Sequence, residues 1–409
     1  MTRLLRGVAL VLSLLVVVYV SLGYVFGQTA SDRGYRSLAV FSEVLDRIQE
    51  DYVDEPDLHL VTIGAVQGLL ESLDPLSSYL SPQEYAEYKK TGEAPARGDV
   101  GLVVARRGNS AAGYGIVVLE VAPGSPADRA GIREGNLIES INGVSTQDMS
   151  VFQAIQLLRG EPGSRVKLAV VGSDGPKPRD VELTRQPIAA PALLTTRLEG
   201  EIAYLRVPDF HLGRAAQIRE KLLEFSRQGA QKLILDLRGC AAGRVEEAIA
   251  TARLFLSSGT IATLRGQTLA PETFAAEPAQ VVWRAPMTVL ISASTAGAAE
   301  VLAAAIAGNH RGDTVGQTTF GMASEQKLLP LTDGGALLLT VGIYYTPQDK
   351  PILTAGVAPT VPMPAGAQLA ALEDEDQPSD PLPGQLPSPS DPVVKKAVEI
   401  LRGLAQRAA

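Results

Sequence analysis

A single cysteine, Cys240, stands in a chain of 409 residues, so no internal disulfide can form, whatever the redox compartment. Histidine is almost as scarce. His59, His211 and His310 lie far apart, without the short spacing that lets imidazoles share a metal, and no Gly-rich phosphate loop is present. A metal or nucleotide mechanism has no support, and no cofactor is expected. Nor is there an excess of positive charge: 37 Lys and Arg face 45 Asp and Glu, a net charge of −8, and no basic stripe appears. Nucleic acid, whose binding draws on clustered cations, is therefore excluded as a partner. What is there is 45% hydrophobic content, ample for packed cores in two or three domains.

The amino end differs from everything after it. Residues 7–27 carry no charge and follow Arg3 and Arg6. About 20 apolar residues cross a bilayer, whereas a signal-peptide core needs only ~7 to 15. A single-pass anchor in the cytoplasmic membrane is expected within residues 1–30, with the basic end inside and the body on the extracytoplasmic side. Val25 and Gly27 also fit a small-residue cleavage site, which leaves a secreted or periplasmic product as the alternative.

Periodicity divides the rest. Val40, Phe41, Val44, Leu45 and Ile48 recur at helical spacing and 61–73 is a second helical stretch, so residues 31–97 read as a helical cap. Residues 98–187 read as short strands with one helix, broken by Gly and Pro turns. From 188 to 366 strands (202–207, 232–237, 287–292, 314–326, 336–345) alternate with helices (214–228, 244–256, 298–307), which predicts an α/β core. Residues 367–391, rich in Pro, Asp and Ser, form a disordered linker. A terminal helix within 392–409, apolar at Val394, Val398, Leu401 and Leu404, is expected to dock on the body or on a second copy. The fold class is mixed α/β.

Two runs carry the chemistry: Ser294-Thr295-Ala296-Gly297-Ala298-Ala299-Glu300, then Thr319-Phe320-Gly321-Met322 with Gln326 beyond. Together they resemble the carboxyl-terminal processing (tail-specific) serine peptidases, in which the first run reads S-A-S-A-x-E and the second T-F-G-K-x-x-x-Q. The resemblance puts Gly297 where the nucleophilic serine belongs and Met322 where its lysine base belongs, 25 residues apart as in the family, with Gln326 retained. Tyr52-Val53-Asp54, Leu73-Asp74-Pro75-Leu76-Ser77-Ser78-Tyr79-Leu80, Tyr344-Tyr345-Thr346-Pro347 and Gly356-Val357-Ala358-Pro359 resemble further family signatures, the last with Thr360 in place of Asp. The likeness covers about residues 38–364 plus the terminal helix, and implies a crotonase-like tail-specific peptidase core.

Pro123-Gly124-Ser125-Pro126-Ala127 through Ile138, then Ile141-Asn142-Gly143, resemble a PDZ domain, with Asn136 where Asp is usual. Val100-Gly101-Leu102 would then supply the loop that receives a peptide's terminal carboxylate, beside a strand edge that pairs with the peptide. Val151, Ala154, Ile155 and Leu158 either wall the groove or pack the domain's core.

Acyl transfer needs a nucleophile, a base and donors aimed at the developing oxyanion. Gly297 has no side chain, and the Met322 thioether is a weak acceptor that cannot shuttle a proton, though it suits an apolar pocket shaped for a lysine stem. The oxyanion region, Ala298 with Ala242 and Gly243, is altered too. Asp236-Leu237-Arg238-Gly239-Cys240-Ala241-Ala242-Gly243 resembles D-L-R-x-N-P-G-G with Pro-Gly replaced by Ala241-Ala242. If that glycine has positive φ, alanine there is disfavoured and the loop relaxes. Ser292, Ser294, Thr295 and Cys240 are substitute nucleophiles only with a base. Strand alternation turns Glu325 and Lys327 away from Met322, Ser324 and Gln326. His310 reads as a loop residue, Ser294 and Thr295 as helix N-caps, and Cys240 as a small buried residue.

The reading is a membrane-anchored pseudopeptidase that binds protein or peptide carboxyl termini through its PDZ domain, presenting or sequestering them or assembling with an active relative or a second copy. The alternatives are an active serine-type endopeptidase cleaving near carboxyl termini and a structural protein with a closed groove.

Overall fold

The computed structural model describes residues 38–91, 98–106, 115–172, 177–199, 201–364, 386–388 and 390–408. The anchor expected at 7–27 and most of the linker at 367–391 lie outside them. Among the described residues no helix is long and apolar enough to cross a membrane. The chain divides into two units at residue 68. Within the first, helix α1 (residues 38–51) leaves Leu38, Val40 and Val44 exposed. Helix α2 (Leu58–Glu71) starts where the Asp57 carboxylate accepts the N–H groups of His59 and Leu60, an N-cap that satisfies two of the helix's orphan donors.

The second unit opens with β1 (Ser78–Leu80) and α3 (Pro82–Thr91). An antiparallel sheet follows, built from β2 (Leu102–Arg106), β3 (Ile116–Val121), β4 (Leu137–Ile141), β5 (Val144–Ser145), β6 (Arg165–Val171) and β7 (Arg179–Thr184), with α4 (Pro126–Arg129) and α5 (Val151–Leu158) between strands. Its order is β2-β3-β4-β6-β7, with β5 on β4. One face buries Val104, Ile116, Val118, Ile138, Ile141 and Leu168 around α5.

The larger sheet has the order β17-β14-β13-β10-β9-β8, from β8 (Leu194–Leu198), β9 (Ile202–Arg206), β10 (Lys232–Asp236), β13 (Met287–Ile291), β14 (Asp313–Gly316) and β17 (Val361–Pro362). All neighbours run parallel except β8 on β9. Strands β9 and β13 are buried at every residue, as a parallel sheet covered on both faces requires. Helices α6 (Arg214–Arg227), α7 (Val245–Arg253) and α8 (Ala298–Gly308) cover one face. Helix α9 (Pro392–Ala408) covers the other through Val393, Val394, Ala397, Val398 and Leu401, so the terminal helix docks on its own chain. A third sheet joins β1, β11 (Thr260–Arg265), β12 (Glu272–Ala275), β15 (Ser324–Pro330) and β16 (Ala336–Tyr345).

Two elements depart from expectation. The strand expected at 314–326 is two strands, β14 and β15, in different sheets. Between them Gly321 takes φ +92 against the backbone of Thr354 and Gly356, a conformation and a close approach that exclude a side chain and break a strand. Helix α7 stops at Arg253 rather than 256, because the Leu254 carbonyl accepts the N–H groups of Val282 and Trp283.

Candidate functional site

Strand β13 ends at Ile291 and α8 begins at Ala298, so position 297 lies on a sharp strand-to-helix turn. Gly297 holds φ +59 and ψ −117, a region that L side chains occupy only under strain. Space is not the constraint, since a Cβ built there would meet nothing nearer than the Ala241 carbonyl oxygen at 4.0 Å. The turn keeps the geometry that would expose a nucleophile at the tip of an elbow, but carries no side chain.

Glu300, one turn into α8 and wholly buried, fixes this geometry. Its Oε2 accepts the N–H of Gly297 at 2.8 Å and of Met322 at 2.7 Å, and its Oε1 accepts the N–H of Gly321 at 2.6 Å and the Thr319 hydroxyl. The nitrogens of Gly297 and Met322 therefore lie no more than 5.5 Å apart, the sum of their distances to one oxygen. Burial raises the Glu300 carboxyl pKa and these four donors pull it back down. The Glu in the first motif and the Thr-Phe-Gly of the second are thus two halves of one clasp.

Ser294 and Thr295 do not cap α8. Gly297 occupies the N-cap position, and Glu300 reaches back from inside the helix to satisfy its amide. Thr295 instead donates its hydroxyl to the Leu237 carbonyl at 2.8 Å and accepts the Ser292 N–H at 2.9 Å, tying β13 to the loop after β10. Met322 precedes β15 rather than lying in it. Ser324 and Gln326 are half-buried while Glu325 and Lys327 are exposed, so Lys327 points away from the turn. Gln326 donates its amide to the Leu76 carbonyl at 2.9 Å. Asp74 shapes that segment by accepting the N–H groups of Leu76 and Ser77, both at 2.8 Å.

In the loop after β10, Gly239 and Gly243 have positive φ, whereas Ala241 and Ala242 do not, so the alanines sit in ordinary backbone space. The Ala241 N–H donates to the Glu120 carboxyl at 3.2 Å, and Ala242 adds a backbone hydrogen bond to the same group. Glu120 belongs to β3 of the small sheet. Burial pushes its pKa up to about 8, the backbone donors of this loop lower it, and Asp209 and Glu134 raise it further. The Ala241 and Ala242 N–H groups are thus turned toward a carboxyl from the small sheet. The same sheet covers the turn: Ala105, Val117 and Leu119 pack on Ala296, with Ala241, Phe320 and Met322 against them. The Met322 side chain fills an apolar space where an ammonium would be costly.

Nearby groups supply no substitute pair. Cys240 is buried, and burial pushes its thiol pKa well up. The Ser292 hydroxyl accepts the N–H groups of Gly239 and Ser294, both at 3.3 Å. His211 Nδ1 lies 2.6 Å from Asp209 and 2.8 Å from Arg214. His310 follows the far end of α8, about 16 Å along a helix of that length. Among the described residues at this site, no hydroxyl or thiol is hydrogen-bonded to a lysine or histidine.

The groove residues are placed as follows. Among the described residues, strand β2 is an edge of its sheet beside α5. Gly101 has φ +82 and donates its N–H to Asp99 at 2.8 Å. Val100 and Leu102 are buried, as are Val151, Ala154 and Leu158 of α5, which pack the domain core, while Ile155 is half-buried at its margin.

Sequence reasoning missed Glu120, the Asp209–His211–Arg214 cluster and Asp391. Asp391 caps α9 and accepts from Arg238 at 2.8 Å, while Arg238 also forks onto Asp236. Glu120 and Asp391 meet Ala241 and Arg238 only through the tertiary fold, whereas Asp209, His211 and Arg214 join locally in the segment leading into α6.

Residues 201–363 match peptidase family S41 and residues 117–172 match a PDZ domain. The chain is 30% identical over 349 residues to the chloroplastic C-terminal processing peptidase of Tetradesmus obliquus, covering 81% of this chain and 75% of that protein. It is 29% identical over 353 residues to the carboxy-terminal processing protease CtpA of Bacillus subtilis, covering 85% and 74%. A photosystem II D1 C-terminal processing protease structure superimposes with a TM-score of 0.66 at 27% identity, covering 80% of this chain and 92% of that one.

Proposed function

The chain belongs to the carboxyl-terminal processing peptidases of family S41, and we propose that within that family it is a pseudopeptidase. It binds protein or peptide carboxyl termini through its PDZ domain and does not hydrolyse them. The observation that carries this reading is the intact elbow at Gly297, held by Glu300 and empty of any attacking atom. Met322, packed among apolar side chains, offers no base. The edge position of β2 supports peptide addition, in which main-chain hydrogen bonds supply affinity. The charge-free run 7–27 behind Arg3 and Arg6 supports an anchor that holds the body outside the cytoplasmic membrane. There the protein would present or sequester tails, or assemble with an active relative or a second copy.

Incubation of the full chain with an unstructured protein, alongside labelling by a serine-directed phosphonate, tests the reading. Neither cleavage nor labelling is expected, while immobilised carboxyl-terminal peptides are retained. Turnover abolished by a point substitution beside Gly297 would establish the active endopeptidase instead. Failure to retain any such peptide would point to a closed groove.

A further inference from the structure

A cavity of about 280 Å3 lies between the PDZ sheet and the ends of β9 and β10. Glu120 and Glu134 stand on its PDZ side, Arg206 and Arg238 on the core side, and Ala192 and Leu194 on an apolar flank. None of its lining residues belongs to β2 or α5, and it is not lined by Gly297 or Met322. Arg206 is only 7% exposed, yet its Nη1 has no hydrogen-bond partner, and its Nη2 reaches the Arg238 carbonyl only at 3.5 Å. A buried donor left open in a native fold calls for an acceptor. The other charges are engaged. Arg238 is forked onto Asp236 and Asp391, Glu120 accepts from Ala241, and Glu134 is pressed against Gly239, where a Cβ would meet its Oε1 at 2.2 Å.

We propose that this cavity binds a monocarboxylate with a short aliphatic tail, the Arg206 guanidinium donating to one carboxylate oxygen. The open donor belongs to a cation, so the ligand is an anion. Glu134 on the same wall opposes a dianion such as phosphate, and the Ala192 and Leu194 flank takes an apolar chain. The volume lies just below the range of ligand pockets, about 300–1,000 Å3, room for a short acid or the last residues of a peptide. Glu120, with its pKa pushed up to about 8 by burial, keeps its proton near neutral pH and can donate it in a hydrogen bond to the second oxygen. The chemistry is shared by a peptide's free carboxyl end and a free short-chain acid. The inference does not depend on whether the chain hydrolyses peptides.

The test is calorimetric titration of the full chain with butyrate, N-acetyl-alanyl-alanine, the carboxyl-terminal amide of that dipeptide, and inorganic phosphate. At least one of the two carboxylates is expected to bind. Amidation and Arg206→Met should each weaken binding by about tenfold or more. Ala192→Trp, a change at an exposed flank position that leaves the buried charges alone, should block the cavity to the same extent and decides the matter if Arg206→Met does not fold. Ile155→Arg, which alters the PDZ groove, should leave the affinity for butyrate unchanged. The ratio of dipeptide to butyrate affinity names the source of the carboxylate. The proposal is overturned if neither carboxylate binds, if phosphate or the amide binds as well, if Ala192→Trp binds like the wild type, or if Ile155→Arg alone abolishes butyrate binding.

Discussion

Replacing Gly297 by alanine isolates the strain that the turn demands. The backbone there holds φ +59 and ψ −117, and a side chain in such a region costs about 1–3 kcal/mol. No overlap adds to this, since the new Cβ would be 4.0 Å from its nearest neighbour. The unfolded chain loses freedom on gaining a Cβ, which offsets about 0.4–1 kcal/mol. The net expectation is a destabilisation of about 1–2 kcal/mol. Urea titration followed by the tryptophan, Trp283, which is buried in the same core as α8, should then show a lower midpoint, by roughly 0.5 M for a slope near 2–3 kcal/mol/M, with the slope unchanged. Gly64→Ala supplies a control of opposite sign. It lies within α2, has open space around it and no positive φ, so alanine should favour that helix by about 0.5–1 kcal/mol. If Gly297→Ala is as stable as the wild type, the turn is not strained, and the claim that the chain retains a nucleophile elbow fails with it.

Three further outcomes follow from the same contacts. Glu300→Gln offers one acceptor oxygen, and an added donor, where four donors now converge; a loss of about 2–4 kcal/mol is expected, with faster amide exchange at Gly297 and Met322 than at α6. Gly297→Ser with Met322→Lys should yield little peptidase activity on the proposed reading, because the Ala242 N–H, like that of Ala241, stays committed to Glu120 and catalytic groups act as a unit; adding Glu120→Ala should raise turnover above the double variant, and strong activity in the double variant alone would show that the loop donor is available for an oxyanion. Folded Glu120 holds its proton up to about pH 8 whereas its ordinary value is 4.5, so the folded state binds more protons across that window and stability falls as pH rises through it. The drop is on the order of a few kcal/mol, and Glu120→Gln should flatten a plot of denaturation midpoint against pH between those limits; an unchanged slope would refute the assignment.

What the sequence made legible was local. The strand 336–345 is an almost unbroken apolar run, and it is found at those residues. The spacing of Glu300 from Gly297 is one helical turn, so a motif read as letters is also a geometry: the carboxylate folds back onto the amide that begins its own helix. The misreadings are of another kind. Residues 314–326 read as one strand, but the backbone demand at Gly321, set by its approach to residues 354 and 356, divides them between two sheets. Ser294 and Thr295 have the chemistry of caps, but the Thr295 hydroxyl finds Leu237, 58 residues away, before it can find a helix amide. Glu120 lies 121 residues from Ala241 and Arg238 lies 153 from Asp391, and no periodicity spans such intervals. These distant contacts decide what the turn at Gly297 can do. The turn at Gly297 has a positive φ and no side chain, while a carboxyl from the small sheet holds the N–H groups of Ala241 and Ala242. On the proposed reading, introducing serine and lysine changes only the local part of this arrangement, which is why the test adds the loss of Glu120 as well.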